Sequence, residues 1–437
     1  MKHKFDVKDA IFTAATIFVI VLSLVLWFFN LTSDRRFSNV EPTSTKMAAK
    51  DQTKSLYDFY APTTIFGFKN NHYYQFYDTK HNLALEFTKK FKQVSLTQPS
   101  VESQSQKSYE KKLNDSNYLQ LVYPDQVTFK IFSDAISLSK GHREFNRIFI
   151  SSSDKEIYFG NDRNYTLYKM AVKADFSKLL SYAENANQKR ECQLVRLKGG
   201  YSAYYQNSIK QNVYNYLTNH ASDNTLVSRL LGTSGVVSSA QGDGATLYTQ
   251  NYSDRLLTQV AGQNTYRYTH FSKIDLPNTT KVLEDSMSYV YMIGINEQDL
   301  RFFDADNSKV LFTNYIEGYP VFIDGEHPQV TTEYQTDNFQ MLFSSLNFEI
   351  PIPFDGQTKT LPATTTVINR LRKNGLKTEN IQRIELGFVV KRDKKNSELI
   401  SLEPTYIIKA QGTWRSYSAW LSFLTDKKQN TQVPEPK

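Results

Sequence analysis

The chain has 437 residues, a net charge of +8, 28 tyrosines, 29 phenylalanines and one cysteine, Cys192. That length is enough for real hydrophobic cores and two or three domains. A single cysteine excludes an intrachain disulfide and fits an exported protein of a bacterium that does not rely on them.

Residues 11–31, IFTAATIFVIVLSLVLWFFNL, carry no charge. At 1.5 Å per residue they make roughly 31 Å of helix, the thickness of a bilayer's hydrocarbon core. Signal-peptide apolar regions are shorter and end at small residues. This run ends in Trp27, Phe28 and Phe29, the residue types of an interfacial belt. We therefore expect an uncleaved anchor with a cytoplasmic N-terminus and residues 32–437 outside. Lys2, Lys4 and Lys8 before the span against Arg35 and Arg36 after it give only a weak charge bias. Asp9, Thr16, Ser23 and Asn30 are spaced by seven, so they lie near one helix stripe. Small polar side chains can bond a neighbouring helix in a membrane, which makes Thr16, Ser23 and Asn30 the candidate transmembrane contact residues.

After a polar stalk, residues 63–77 read as a hairpin turning at Asn70-Asn71, because asparagine tolerates the left-handed turn conformation. Leu83, Phe87 and Phe91 mark a helix over 81–93, and Tyr109 and Leu113 another. Strands are expected at 127–132, 145–151, 156–159 and 165–172. Helices are expected at 176–186, behind Asp175, at 209–217, and at 224–231 before Gly232. A turn at 241–244 leads into ribbons at 245–250, 255–260 and 265–270. Residues 300–303, 309–316, 319–323, 331–335 and 339–343 read as further strands, with 304–308 as a turn. A helix at 364–373, then strands at 384–390 and 405–410, complete the pattern. The fold class is α+β: antiparallel sheet with packed helices. The divisions are a cytoplasmic N-terminus (1–9), a transmembrane helix (10–31), a stalk (32–56), extracytoplasmic domains at 57–175, 176–280 and 281–425, and a disordered tail (426–437). The last two domains read as diverged copies.

No catalytic signature is present: no His-Glu-x-x-His, no Cys-x-x-Cys, no phosphate loop and no nucleophile elbow. Asp304-Ala305-Asp306 begins like a calcium loop, but Lys309 and Tyr315 stand where glycine and glutamate are required. None of the seven histidines has a partner at metal-ligand spacing, and each is expected as an ordinary surface or edge residue. The carboxylate pairs Asp304/Asp306 and Glu317/Asp324 read as loop residues. Cys192 is expected as a small, partly buried side chain. We expect no catalytic residue, metal or cofactor. The span turns the basic surface outward, which argues against nucleic acid.

Four C-terminal stretches occur in a telling order: KVLFTNYIEGYPVF (309–322), Pro351-Ile352-Pro353 with Leu361-Pro362-Ala363, IQRIELGFVV (381–390) and LEPTYIIKAQGTW (402–414). Before them come YLQLVYP (118–124), REFNRIFIS (143–151), Leu230-Leu231 and the ribbons ATLYTQ, RLLTQV and TYRYTH. In order and spacing the chain resembles the YycH family, accessory proteins of the WalK/WalR (YycG/YycF) two-component system in Gram-positive bacteria. YycI proteins share the C-terminal style but are shorter. The resemblance implies a non-enzyme with three extracytoplasmic α+β domains. It also implies a complex with YycI and the sensor histidine kinase WalK, formed largely through transmembrane helices, that adjusts cell-wall homeostasis. The alternative from composition is an extracytoplasmic module binding anionic cell-wall polymer or a wall-remodelling protein, tethered by its span. If contact lies outside the membrane, the surface around 317–322 is the candidate.

Overall fold

The computed structural model describes Ser23 and residues 54–431, apart from 153–154, 251–253, 262–263, 273–276 and 295–298. Among the described residues no helix is long and apolar enough to cross a membrane. The apolar run at 11–31 lies outside them except for Ser23.

The first sheet is built from α1 (Leu56–Phe59), β1 (Thr64–Lys69), β2 (His72–Tyr77), α2 (Leu83–Phe91), β3 (Ser100–Ser103), α3 (Gln106–Leu113), β4 (Leu119–Thr128), α4 (Leu138–Gly141), β5 (Glu144–Ile150), β6 (Glu156–Asn161), β7 (Thr166–Ala171), α5 (Ser177–Glu184), β8 (Gln188–Leu197) and β9 (Gly200–Tyr204). Its nine strands run antiparallel in the order β3-β7-β6-β5-β4-β1-β2-β8-β9. Asn70 and Asn71 turn β1 into β2 with φ of 51° and 68°, the paired left-handed residues of a two-residue hairpin. Asn82 caps α2, its side chain accepting from the Leu85 N–H at 3.1 Å. Leu83, Phe87 and Phe91 then lie buried on one face.

The second sheet comes from β10 (Ile209–Asn212), β11 (Tyr214–His220), α6 (Asp223–Leu230), β12 (Val236–Ala240), β13 (Thr246–Gln250), β14 (Arg255–Gln259), β15 (Thr265–Phe271), α7 (Thr279–Ile293), β16 (Leu300–Asp306), β17 (Lys309–Ile316), β18 (Tyr319–Phe322), β19 (Val330–Tyr334), β20 (Asn338–Ser344), β21 (Leu346–Pro351), β22 (Thr358–Leu361), α8 (Thr364–Lys373), β23 (Ile381–Arg392), β24 (Leu399–Ala410), β25 (Thr413–Ser416) and α9 (Tyr417–Thr431). The main path is β12-β13-β14-β15-β20-β19-β17-β18-β23-β24-β11-β21, with β16 on β17 and β25 on β24; β10 pairs with β22 apart from it. Only the β18–β23 pairing is parallel among those described. One apolar cluster takes in Phe59, Phe87 and Phe145 with Leu226, Leu283 and Phe312, so the two sheets share a core.

Several expectations are corrected. Residues 209–217 form strands, not a helix: burial alternates within each, with Ile209 and Gln211 buried in β10 and Tyr214, Tyr216 and Thr218 in β11, the pattern of a half-buried strand. The strand expected at 127–132 ends at Thr128 and continues as a 3-10 turn, Phe129–Phe132. Asp304 and Asp306 lie in β16 rather than in a turn. Helix α9 continues through residues 426–431, part of the expected disordered tail. Hydrogen bonding also crosses the expected divisions. β8 and β9 extend the first sheet beyond residue 176, and β15 pairs with β20 across residue 280.

Candidate functional site

The two sheets meet along a cleft, and the turn between β17 and β18 closes on it. Glu317 and Gly318 form that turn with φ of 53° and 78°. A Cβ on Gly318 would stand 2.8 Å from the Thr63 carbonyl oxygen, so only glycine lets the turn reach the first sheet. Glu317 holds the same left-handed backbone without that freedom, at a cost of roughly 1–2 kcal/mol. Beside it lies a cavity of about 220 Å³, walled by Phe76 and Tyr77 of β2, Tyr214 and Tyr216 of β11, Tyr315 of β17 and Phe354. Arg301 grips Asp299 there with two hydrogen bonds of 2.6 and 3.0 Å. Burial raises the Glu317 carboxyl, opposed by a hydrogen bond from the Tyr214 hydroxyl and by the Arg190 charge.

A second region of the interface is an ionic seam. Asp125 leaves β4 and meets Asp304 of β16, with which it shares a hydrogen bond. Arg163 donates to Asp125 at 2.6 Å, and the Ala305 N–H donates to it at 3.3 Å. Asp304 accepts from Lys409, from the Trp414 indole at 2.9 Å and from Arg383 at 3.3 Å. Arg383 also donates to Glu385 at 3.1 Å. Burial and the facing Asp125 carboxylate push Asp304 up to about 7. Asp125 is held low against its own burial by Asp304's hydrogen bond and by Arg163, Arg383 and Lys409. Removing one member of such a buried set leaves an uncompensated charge, typically about 3–5 kcal/mol. Deeper in the first sheet, Arg147 holds Asp162 bidentately at 3.0 and 2.8 Å, both side chains within 1% of full burial.

The candidate contact residues Thr16 and Asn30 lie outside the described residues; Ser23 is helical and exposed. Asp304 is buried while Asp306 is exposed, so they form no pair. Asp324 instead bonds His327 at 2.7 Å within its own turn, while Glu317 faces the cleft. Tyr319, Pro320, Val321 and Phe322 are all buried, which removes residues 319–322 as a docking surface. Cys192 is buried, and burial pushes its thiol up to about 12. Among the described residues no three His, Cys, Asp or Glu gather as a metal would need. The seam was missed by sequence reading, although charges inside apolar strands, as in Ile407-Ile408-Lys409-Ala410, were its available signal.

These features define a mixed α+β protein of two large, mainly antiparallel sheets whose interface carries both a closed ionic seam and an open aromatic cleft. The same fold occurs in the crystal structure of YycH from Bacillus subtilis, with a TM-score of 0.67, 16% identity, and coverage of 83% of this chain and 97% of that one. The YycH protein N-terminal domain matches residues 7–186, and the YycH protein C-terminal domain matches residues 204–422. The chain belongs to the YycH family. No curated protein matches it.

Proposed function

We propose that this protein is a membrane-anchored, extracytoplasmic regulator of a sensor histidine kinase of the WalK/YycG type. It acts through transmembrane helix contacts together with a YycI-type partner, and so bears on cell-wall homeostasis. Family membership supports the regulator class, and the family match begins at residue 7, ahead of the apolar run. The observation that carries the mechanism is the grip on α1, which follows the expected span and stalk. The Tyr60 hydroxyl donates to the Leu283 carbonyl of α7 at 2.6 Å. Phe59 packs edge-on against Tyr291 and Phe312 at 5.3 and 6.0 Å, and Tyr57 donates to the Phe132 carbonyl in the 3-10 turn that follows β4 of the first sheet. A shift between the sheets therefore reaches the chain that leads to the span.

The test is purification of the full-length protein from membranes, followed by identification of any histidine kinase that accompanies it. Replacing 11–31 with an unrelated span should abolish kinase association. Thr16→Leu with Ser23→Leu should weaken it several-fold, because each interhelical hydrogen bond contributes roughly 0.6 kcal/mol. If association persists in both variants, contact lies outside the membrane and the transmembrane mechanism is wrong.

A further inference from the structure

The cleft beside Glu317 has the makings of a binding site. Glu317 is mostly removed from water, yet among the described residues no basic side chain lies within ion-pair distance of it. Arg190, the opposing charge acting on it, is committed elsewhere, donating to Gln211 at 3.0 Å and to the Tyr319 hydroxyl at 2.8 Å. Asp299, the other carboxylate of the lining, is already neutralised by Arg301. Lys54 interacts with Asp299 and Asp58 instead. The Tyr214 hydroxyl hydrogen-bonds the Glu317 carboxylate, and Tyr77 and Tyr216 line the same cavity. Phe354 stands exposed at the mouth, its ring 6.1 Å from that of Tyr214. Finally, the carboxylate is held on a left-handed backbone that no non-glycine residue prefers, and such strain concentrates at functional positions.

We propose that the Glu317 cleft binds a primary ammonium group carried on a short alkyl stem. The three N–H donors of an ammonium match one carboxylate and neighbouring phenol oxygens. The aromatic walls take the stem and attract the positive charge. A calcium ion needs about 6–8 oxygen ligands, more than one free carboxylate anchors. At about 220 Å³ the cavity falls below the roughly 300–1,000 Å³ of drug-sized sites, which suits a small amine or a single side-chain tip.

The test is calorimetric titration of the full-length protein in detergent with cadaverine, ethanolamine, n-pentanol and calcium chloride. Cadaverine should bind saturably, and Glu317→Gln should weaken it at least tenfold. Asp306→Asn, which removes an exposed carboxylate, should leave binding unchanged. Tighter binding of ethanolamine than of cadaverine would assign the ammonium to a headgroup-like source rather than to a lysine-like or polyamine stem; either supports ammonium recognition. Equal binding of n-pentanol would show that the cleft reads the stem alone, and displacement of cadaverine by calcium would make it an inorganic cation site. Both would overturn the proposal, as would equal cadaverine binding by wild type and Glu317→Gln. Glu317→Gly, which relaxes the turn, guards against a folding artefact: it should fold and still fail to bind.

Discussion

At the residue scale, each buried charge has a distinct origin and cost. Arg147 lies on β5 and Asp162 opens the turn between β6 and β7, and their bidentate geometry is supported by Tyr109, Asn146 and Gln120. Arg147→Met should destabilise the protein by about 3–5 kcal/mol, read as a shift in denaturant midpoint, because the Asp162 carboxylate loses its counter-charge inside the core. Adding Asp162→Asn should recover part of that loss, since a neutral amide needs no ion pair. Glu317 predicts the reverse sign. Glu317→Gly removes both a left-handed non-glycine backbone and a desolvated carboxyl. It should raise stability by about 1 kcal/mol in the same measurement. No gain in midpoint would mean that the turn is not strained.

Elements with a clean period were readable from the chain; a helix built from β-branched and aromatic residues was not. Helix α2 shows its apolar stripe at four-residue spacing, and the β1–β2 hairpin declares itself through Asn70-Asn71. Helix α7 hides. Its sequence, TTKVLEDSMSYVYMI, is rich in threonine, valine, tyrosine and isoleucine, residues that favour strands. Packing against α6, β17 and β19 overrides that preference. The β10–β11 segment misleads in the opposite direction, because buried Gln211 interrupts its apolar alternation. Helix α7 is also the element that holds α1. Phe59→Ala should therefore cost about 3–5 kcal/mol. Amide exchange should accelerate across residues 54–60 and in α7, beyond any change in β5–β7. Exchange that accelerates uniformly would show that α1 is not a separate coupling element.

On the scale of the whole molecule, the ionic seam was beyond sequence reading because its members are distant in the chain: Lys409 is 105 residues from Asp304, and Ala305 is 180 from Asp125. Only the juxtaposition of β4, β16, β23, β24 and β25 creates it, and that juxtaposition gives stability a pH dependence. Asp304 stands at about 7 in the folded protein against 3.8 as its ordinary value. Between those values the folded state keeps a proton that the unfolded chain has released, so stability falls as pH rises through the window and the loss is complete above it. Glu385, raised by burial, acts in the same sense. Asp125, held low chiefly by its hydrogen bond with Asp304 against the cost of burial, contributes stability that is lost only in stronger acid. His327 is raised by its bond to Asp324 and His220 is lowered by burial, so both add their own pH dependence. The informative quantity is therefore the difference between wild type and Asp304→Asn. Wild-type melting temperature should decline from pH 5 to pH 8, and the variant should decline less, because its amide carries no proton to lose. Parallel slopes would place the titrating proton elsewhere and leave the seam as a fixed clamp. A shallower slope in the variant would make the sheet interface looser at neutral pH than in mild acid, along the same path that leads through α7 to α1.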